Sequence, residues 1–165
     1  MVAFAPPPSP RYISPADTAK LVRAALKAAF PAEKFRVRTH VYAGGASIDV
    51  NWTDGPTAAR VDREVQRFAG ARFDGMDDSM TYREAELDGE RVRFGAHFIF
   101  ANRAVSAEFR RRVLTAIVER YGLTMPDVGE DGWPVNMHRP IGEGFTWTWD
   151  SIIYRAMGNR TVLDR

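Results

Sequence analysis

Cysteine is absent from the chain. That excludes disulfides, thiolate zinc sites and cysteine nucleophiles, and it suits a reducing cytoplasm. Long apolar runs are lacking as well, since none approaches the ~20 residues that span a bilayer. The opening stretch MVAFAPPPSP has neither a basic n-region nor a long apolar core, so it does not read as a secretory signal. Residues 1–10 read instead as a Pro-rich disordered lead-in. Lysine is scarce. Arginine supplies most of the positive charge and lifts the pI to about 9.1, while the net charge is only +2. So even a balance does not by itself announce a nucleic-acid binder. No G-x-S-x-G, H-E-x-x-H or G-x-x-x-x-G-K-[ST] occurs.

What is present is ordinary globular material: 165 residues, 45% hydrophobic and 27% charged, enough for one domain with an appendage. Ser14 followed by Pro15 is a helix start, with Asp17 at the third position complementing the exposed amides. Leu21, Val22, Ala25, Leu26, Ala29 and Phe30 recur at helical spacing, and Pro31 stops the helix near Phe30. KFRVRTHVYAGGASIDVNWT then alternates apolar and polar residues. A Gly44-Gly45 turn would place Val41 opposite Ile48, Val37 opposite Trp52, His40 opposite Asp49 and Arg38 opposite Asn51. A second helix carries Val61, Val65 and Phe68. Residues 71–80 read as a loop. TYREAELDGERVRFGAHFIF reads as a second hairpin turning at Asp88-Gly89, with Glu86 opposite Arg91 and Glu84 opposite Arg93. Its apolar face is Val92, Phe94, Ala96, Phe98 and Phe100. Ser106 caps a third helix that Gly122 stops. Leu123 to Gly144 is loop-like, and an aromatic FTWTW segment and a short helix near Ser151 to Met157 follow.

The order α-β-β-α-β-β-α is α+β. It predicts a mainly antiparallel four-stranded sheet from two hairpins, with helices on one face and an aromatic C-terminal extension. The expected division is a lead-in over 1–10, a domain over 11–122 and a loop-rich extension over 123–165. Phe35, Val50, Trp52, Phe94, Phe98, Leu26 and Ile117 are expected to share one core. The polar sheet face would carry Arg36, Arg38, His40, Asp49, Asn51, Glu84, Glu86, Arg91, Arg93 and His97.

YISPADTAKLVRAALKAAFP, YAGGASIDVNWTDGPT, FAGARFDGMDDSMTYRE and DGERVRFGAHFIFANRAVSAEF, in this order between Arg11 and Tyr121, resemble one of the large polyvalent-protein-associated domain families. The resemblance implies an α+β fold and a setting in phages and conjugative elements, beside DNA-processing and counter-defence domains. It carries over no catalytic residue. The family tends to an acid where His97 stands, a departure that counts against a catalytic scheme at residue 97.

Candidate functional residues follow from side-chain chemistry. Asp74, Asp77 and Asp78 offer oxygen ligands to a hard cation. Counted from Asp74, however, an EF-hand's third position is Met76 and its twelfth is Ala85, so a turn with solvated acids is the simpler reading. His40 beside Asp49 has the makings of a general base but no nucleophile at a recognisable elbow. Arg110, Arg111 and Arg112 form the best candidate phosphate patch. Arg36 and Arg38 are interspersed with acids. Trp133, beside Pro134 in a loop, is the candidate anchor for a protein partner, and Trp147 and Trp149 read as a strand closing the core. With the setting that the resemblance implies, these residues predict a non-catalytic macromolecule-binding module of a mobile element, a counter-defence protein of the anti-CRISPR or anti-restriction type that occludes a host complex. The alternatives are a nucleic-acid-binding accessory protein and an enzyme using the aspartate loop. No cofactor, metal or membrane is expected. The expected partner is a host or element-encoded protein, or nucleic acid, in the host cytoplasm. The oligomeric state is left open.

Overall fold

A computed structural model describes residues 9–74, 76 and 79–158. Within them the fold mixes α and β, with four α-helices and eight strands in the order β1 (Arg11–Ile13), α1 (Pro15–Ala29), β2 (Arg36–Tyr42), β3 (Gly45–Thr53), α2 (Ala58–Val65), β4 (Ala71–Asp74), β5 (Ser79–Tyr82), β6 (Ala85–Leu87), β7 (Glu90–Phe94), β8 (Phe98–Ala104), α3 (Ala107–Tyr121) and α4 (Trp149–Gly158). No helix among the described residues is long and apolar enough to cross a membrane.

The helix ends obey local chemistry. The Ser14 hydroxyl accepts from the Asp17 N–H at 3.1 Å, and Ser106 accepts from Phe109 N–H at 3.0 Å. Gly122 ends α3 in the left-handed region, at φ 61°.

The expected four-stranded sheet does not form. The strands divide into a sheet ordered β1-β7-β6, a sheet ordered β2-β3-β8 and a β4-β5 hairpin. The cause is a break at Gly95-Ala96-His97. Its backbone is bonded to three other segments: Gly95 N–H to Ile13 C=O at 2.8 Å, His97 N–H to Ala46 C=O at 2.7 Å, and the Ala96 and His97 carbonyls to Gly70 and Ala71 N–H. Val92, Phe94 and Ala96 are buried as expected, but the alternation then inverts. Ile99 is buried, Phe98 is only half-buried and Phe100 is 50% exposed. FIFA is apolar at both parities, so periodicity alone could not locate the inversion. The three-residue β1, parallel to β7 with Ile13 opposite Phe94, was also unexpected, as was the β4-β5 hairpin where a loop was expected.

Both predicted hairpins exist. The second has the expected register, Leu87 opposite Glu90 and Glu86 opposite Arg91. Asp88 and Gly89 at φ 53° and 79° give the primed turn. Glu84 lies before β6 and ion-pairs with Arg91 rather than facing Arg93. The first hairpin turns one residue earlier than predicted, at Ala43-Gly44. Val41 therefore faces Ala46, Thr39 faces Ile48, Val37 faces Val50 and Arg38 faces Asp49. The correction shifts every pair by two and leaves each side chain on its expected face. Gly45 serves the strand, not the turn: a Cβ there would lie 2.3 Å from His97 Nδ1.

The chain forms two compact units, with the described residues through Trp52 and Ala58–Asn102 in one, and Thr53–Thr57 and the described residues from Arg103 in the other. This division differs from the boundary expected after Gly122. In the first unit Val22, Leu26, Val37, Ile48, Val50, Trp52, Val61, Val65, Val92, Phe94 and Ile99 form the core, with Phe35 packed at its margin. Full burial of a side chain such as Leu26 or Ile48 contributes about 1.5–3 kcal/mol. In the second unit Val113, Leu114 and Ile117 of α3 pack with Trp149, Ile152 and Ile153 of α4. Ile117 was expected in the first core and belongs to the second. Trp149 starts a helix rather than a strand, and Trp147 is exposed.

Candidate functional site

The arginine run on α3 is committed to its own unit. Arg110 is half-buried, donates to Val105 C=O at 2.8 Å and lies over the Trp133 ring at 5.5 Å. Its buried Nε has no hydrogen-bond partner among the described residues. Arg111 donates to the Gly129 and Glu130 carbonyls at 3.0 and 2.8 Å. Arg112 lies over the Phe109 ring at 5.5 Å. Trp133 is half-buried, with its ring 4.9 Å from that of Tyr154. The structure thus brings Arg110 and Trp133, candidates for different partners, into contact with each other. Asp74 ends β4, and Asp77 and Asp78 lie outside the described residues. Among the described residues no group of three or more His, Asp or Glu gathers where a metal would sit.

Arg36, Arg38 and His40 stand in a different setting. Alternation along the β2-β3-β8 sheet places them on its outer face, beside Ser47, Asp49 and Asn51 of β3 and Phe98, Phe100 and Asn102 of β8. The opposite face, with Ile48, Val50 and Ile99, belongs to the core. The bonds from His97 N–H to Ala46 C=O and from Asp54 N–H to Ala104 C=O run β8 parallel to β3. Phe98 and Phe100 are stacked, centroids 6.2 Å apart and planes 27° apart. Glu86, Arg91 and Arg93, expected on this face, lie in the other sheet, and Glu84 lies between strands. Asp49 is the one acid of the face among the described residues, and His40 Nε2 lies 3.0 Å from its Oδ2. Arg36 and Arg38 form no ion pair among the described residues. A row of cations at alternate positions, about 6.8 Å apart, thus runs about 9.6 Å from a row of aromatic rings. Such a surface can stack flat rings on β8 and neutralise anions along β2.

Within the same unit a concavity of about 690 Å³ is lined by Tyr12, the β2-β3 turn, Tyr82, Arg93, Gly95 and His97. Tyr12 and Tyr82 are 57% and 58% exposed. A Cβ at Gly95 would meet the Tyr12 hydroxyl at 2.3 Å, so glycine lets that ring lie on the backbone. Tyr82, His97 and Phe98 form a chain of edge contacts, at 5.3 and 6.4 Å, that leads from the concavity to the stacked phenylalanines. The sequence places Phe98 in the expected core and Phe100 on the apolar face of the second hairpin, and it singles out neither Tyr12 nor Tyr82. Two consecutive apolar pairs in FIFA were the available signal.

The second histidine–carboxylate pair, His138 Nδ1 and Asp150 Oδ2 at 3.1 Å, lies at the first turn of α4. The Thr148 hydroxyl, then the Ser151 N–H and His138, hold the Asp150 carboxyl below its ordinary range.

A family model described as large polyvalent protein associated domain 29 matches residues 13–106, which include the whole aromatic and arginine face. Searches of curated proteins and of solved structures gave no significant match.

Proposed function

The chain belongs to the large polyvalent protein associated domain 29 family, and from that premise we propose that it is a non-catalytic module of a mobile element that binds single-stranded nucleic acid on the outer face of its β2-β3-β8 sheet. One observation carries this reading: a stacked Phe98–Phe100 pair, with Phe100 half exposed, shares that face with two arginines that form no ion pair among the described residues, although Arg38 lies opposite Asp49. Bases stack on aromatic rings without regard to sequence, and cations along the neighbouring edge track the phosphates. Ser47 and Asn51 between the rows supply hydrogen-bonding groups to sugars and base edges. Occlusion of a host protein through Trp133 has less support, because Arg110 and Tyr154 already cover that ring.

Fluorescence anisotropy with labelled 12-nucleotide single strands tests the proposal. Phe100→Ala should weaken binding about tenfold, as loss of one stacking ring does. Arg36→Ala with Arg38→Ala should flatten the salt slope by about 0.7 per lost phosphate contact. Absence of binding at low salt, or binding indifferent to both changes, refutes the reading.

A further inference from the structure

We infer that the concavity bounded by Tyr12, Tyr82, Arg93 and His97 is a nucleotide pocket that takes one unstacked nucleotide, its base against Tyr82 and His97 and its phosphate at Arg93. The inference rests on the proposed sheet-face reading only for the origin of that nucleotide, as one member of the strand lying on β8. The volume of about 690 Å³ is within the range of small-molecule sites. Its chemistry is selective. Flat rings supply two of its walls, with the Tyr12 ring lying over Gly95, and Pro15, Val41, Tyr42 and the backbone at Gly44, which has open space beside it, supply the rest. Arg93 makes no ion pair among the described residues. It lies 5.9 Å from the Tyr12 ring centroid, a contact that orients the guanidinium while leaving its donors to an anion. The His97 ring lines the pocket, while its Nδ1 is buried against Gly45 and has no hydrogen-bond partner among the described residues. The Tyr82–His97–Phe98 ring contacts make the pocket continuous with the stacking surface. A strand on the sheet could therefore turn one base into it, in the way enzymes and single-strand readers hold an extruded base.

The test is calorimetry of the full chain with the four 5′-mononucleotides and the corresponding nucleosides. Saturable one-site binding is expected, with the phosphate strengthening it about tenfold. Arg93→Ala should erase the difference between nucleotide and nucleoside, and Arg93→Lys should restore part of it. Tyr82→Ala should weaken nucleotides and nucleosides alike by about tenfold. Both positions are exposed, and circular dichroism with thermal melting verifies that each variant is folded. The inference is overturned if no mononucleotide binds at millimolar concentration, or if binding ignores both Arg93 and Tyr82. Single-strand binding without mononucleotide binding rejects the pocket and leaves the sheet face standing. Mononucleotide binding without single-strand binding rejects the sheet face and leaves the pocket.

Discussion

Arg103 offers the sharpest test of how the second unit is held. Its guanidinium donates to three carbonyls, Asp54 at 2.9 Å, Met157 at 2.8 Å and Gly55 at 3.0 Å, and lies over the Phe109 ring at 5.1 Å. Asp54 and Gly55 both sit at positive φ, 59° and 53°, a conformation that asparagine, aspartate and glycine tolerate best. The Asp54 carboxylate in turn accepts from the Ser106 N–H and hydroxyl at 2.8 and 2.7 Å. Arg103→Ala removes three charge-assisted bonds, each worth about 1 kcal/mol net where water can partly replace it. Loss of the ring contact adds about 0.5–1 kcal/mol. The total is about 3–4 kcal/mol, or a fall of about 6–16 °C in melting midpoint for a chain of this size. Arg103→Lys keeps the charge but cannot reach three carbonyls, so it should retain less than half the stability. Urea unfolding followed by tryptophan fluorescence measures both variants. A loss under about 1 kcal/mol in Arg103→Ala, or equal stability of Arg103→Lys and wild type, would refute the proposed role of this fork.

Gly45→Ala should destabilise by about 1–3 kcal/mol, because its Cβ collides with a packed imidazole, and thermal melting reads this directly. An unchanged midpoint would mean that His97 moves aside freely. Arg110→Ala and Arg111→Ala should each lower stability by about 1–2 kcal/mol, since both side chains bond to carbonyls, and should leave the salt slope of single-strand binding unaltered. The Asp17 carboxyl is held below its ordinary value of 3.8, first by the hydrogen bond from Lys20, then by Ser14 and the Lys20 charge. A depressed folded pKa contributes stability above pH 3.8 that is lost as pH falls through the folded value. Asp17→Asn should therefore be less stable than wild type at neutral pH, with the two converging in acid urea titrations.

Local signals were readable and distant ones were not. Ser14-Pro15, Ser106 and Gly122 set helix ends through contacts within four residues, and Asp88-Gly89 sets its own turn, so each was legible. The first hairpin's turn was not, because moving it by one residue preserves every face and alternation carries no information to separate the choices. What fixes it is the fit of Gly45 to His97, fifty-two positions away. The strand break at Gly95 likewise depends on Ile13 and Ala46. Without that break the pattern puts Phe98 in the core, puts Phe100 on the apolar hairpin face and mixes the acids of one sheet with the arginines of another, which hides the candidate surface. Arg36, Arg38 and His40 were visible as polar-face residues, but their freedom from Glu84 and Glu86 required the topology.

The most direct measurement is photocrosslinking of a single-stranded oligonucleotide carrying 5-iodouracil, with the adducted residue located by mass spectrometry of proteolytic peptides. Iodouracil couples efficiently to a ring it is stacked on. Adducts are expected at Phe100 or Phe98, competed away by unlabelled single strands. Adducts confined to the α3 peptide containing Arg110 to Arg112, or none at all, would contradict binding on the β2-β3-β8 face.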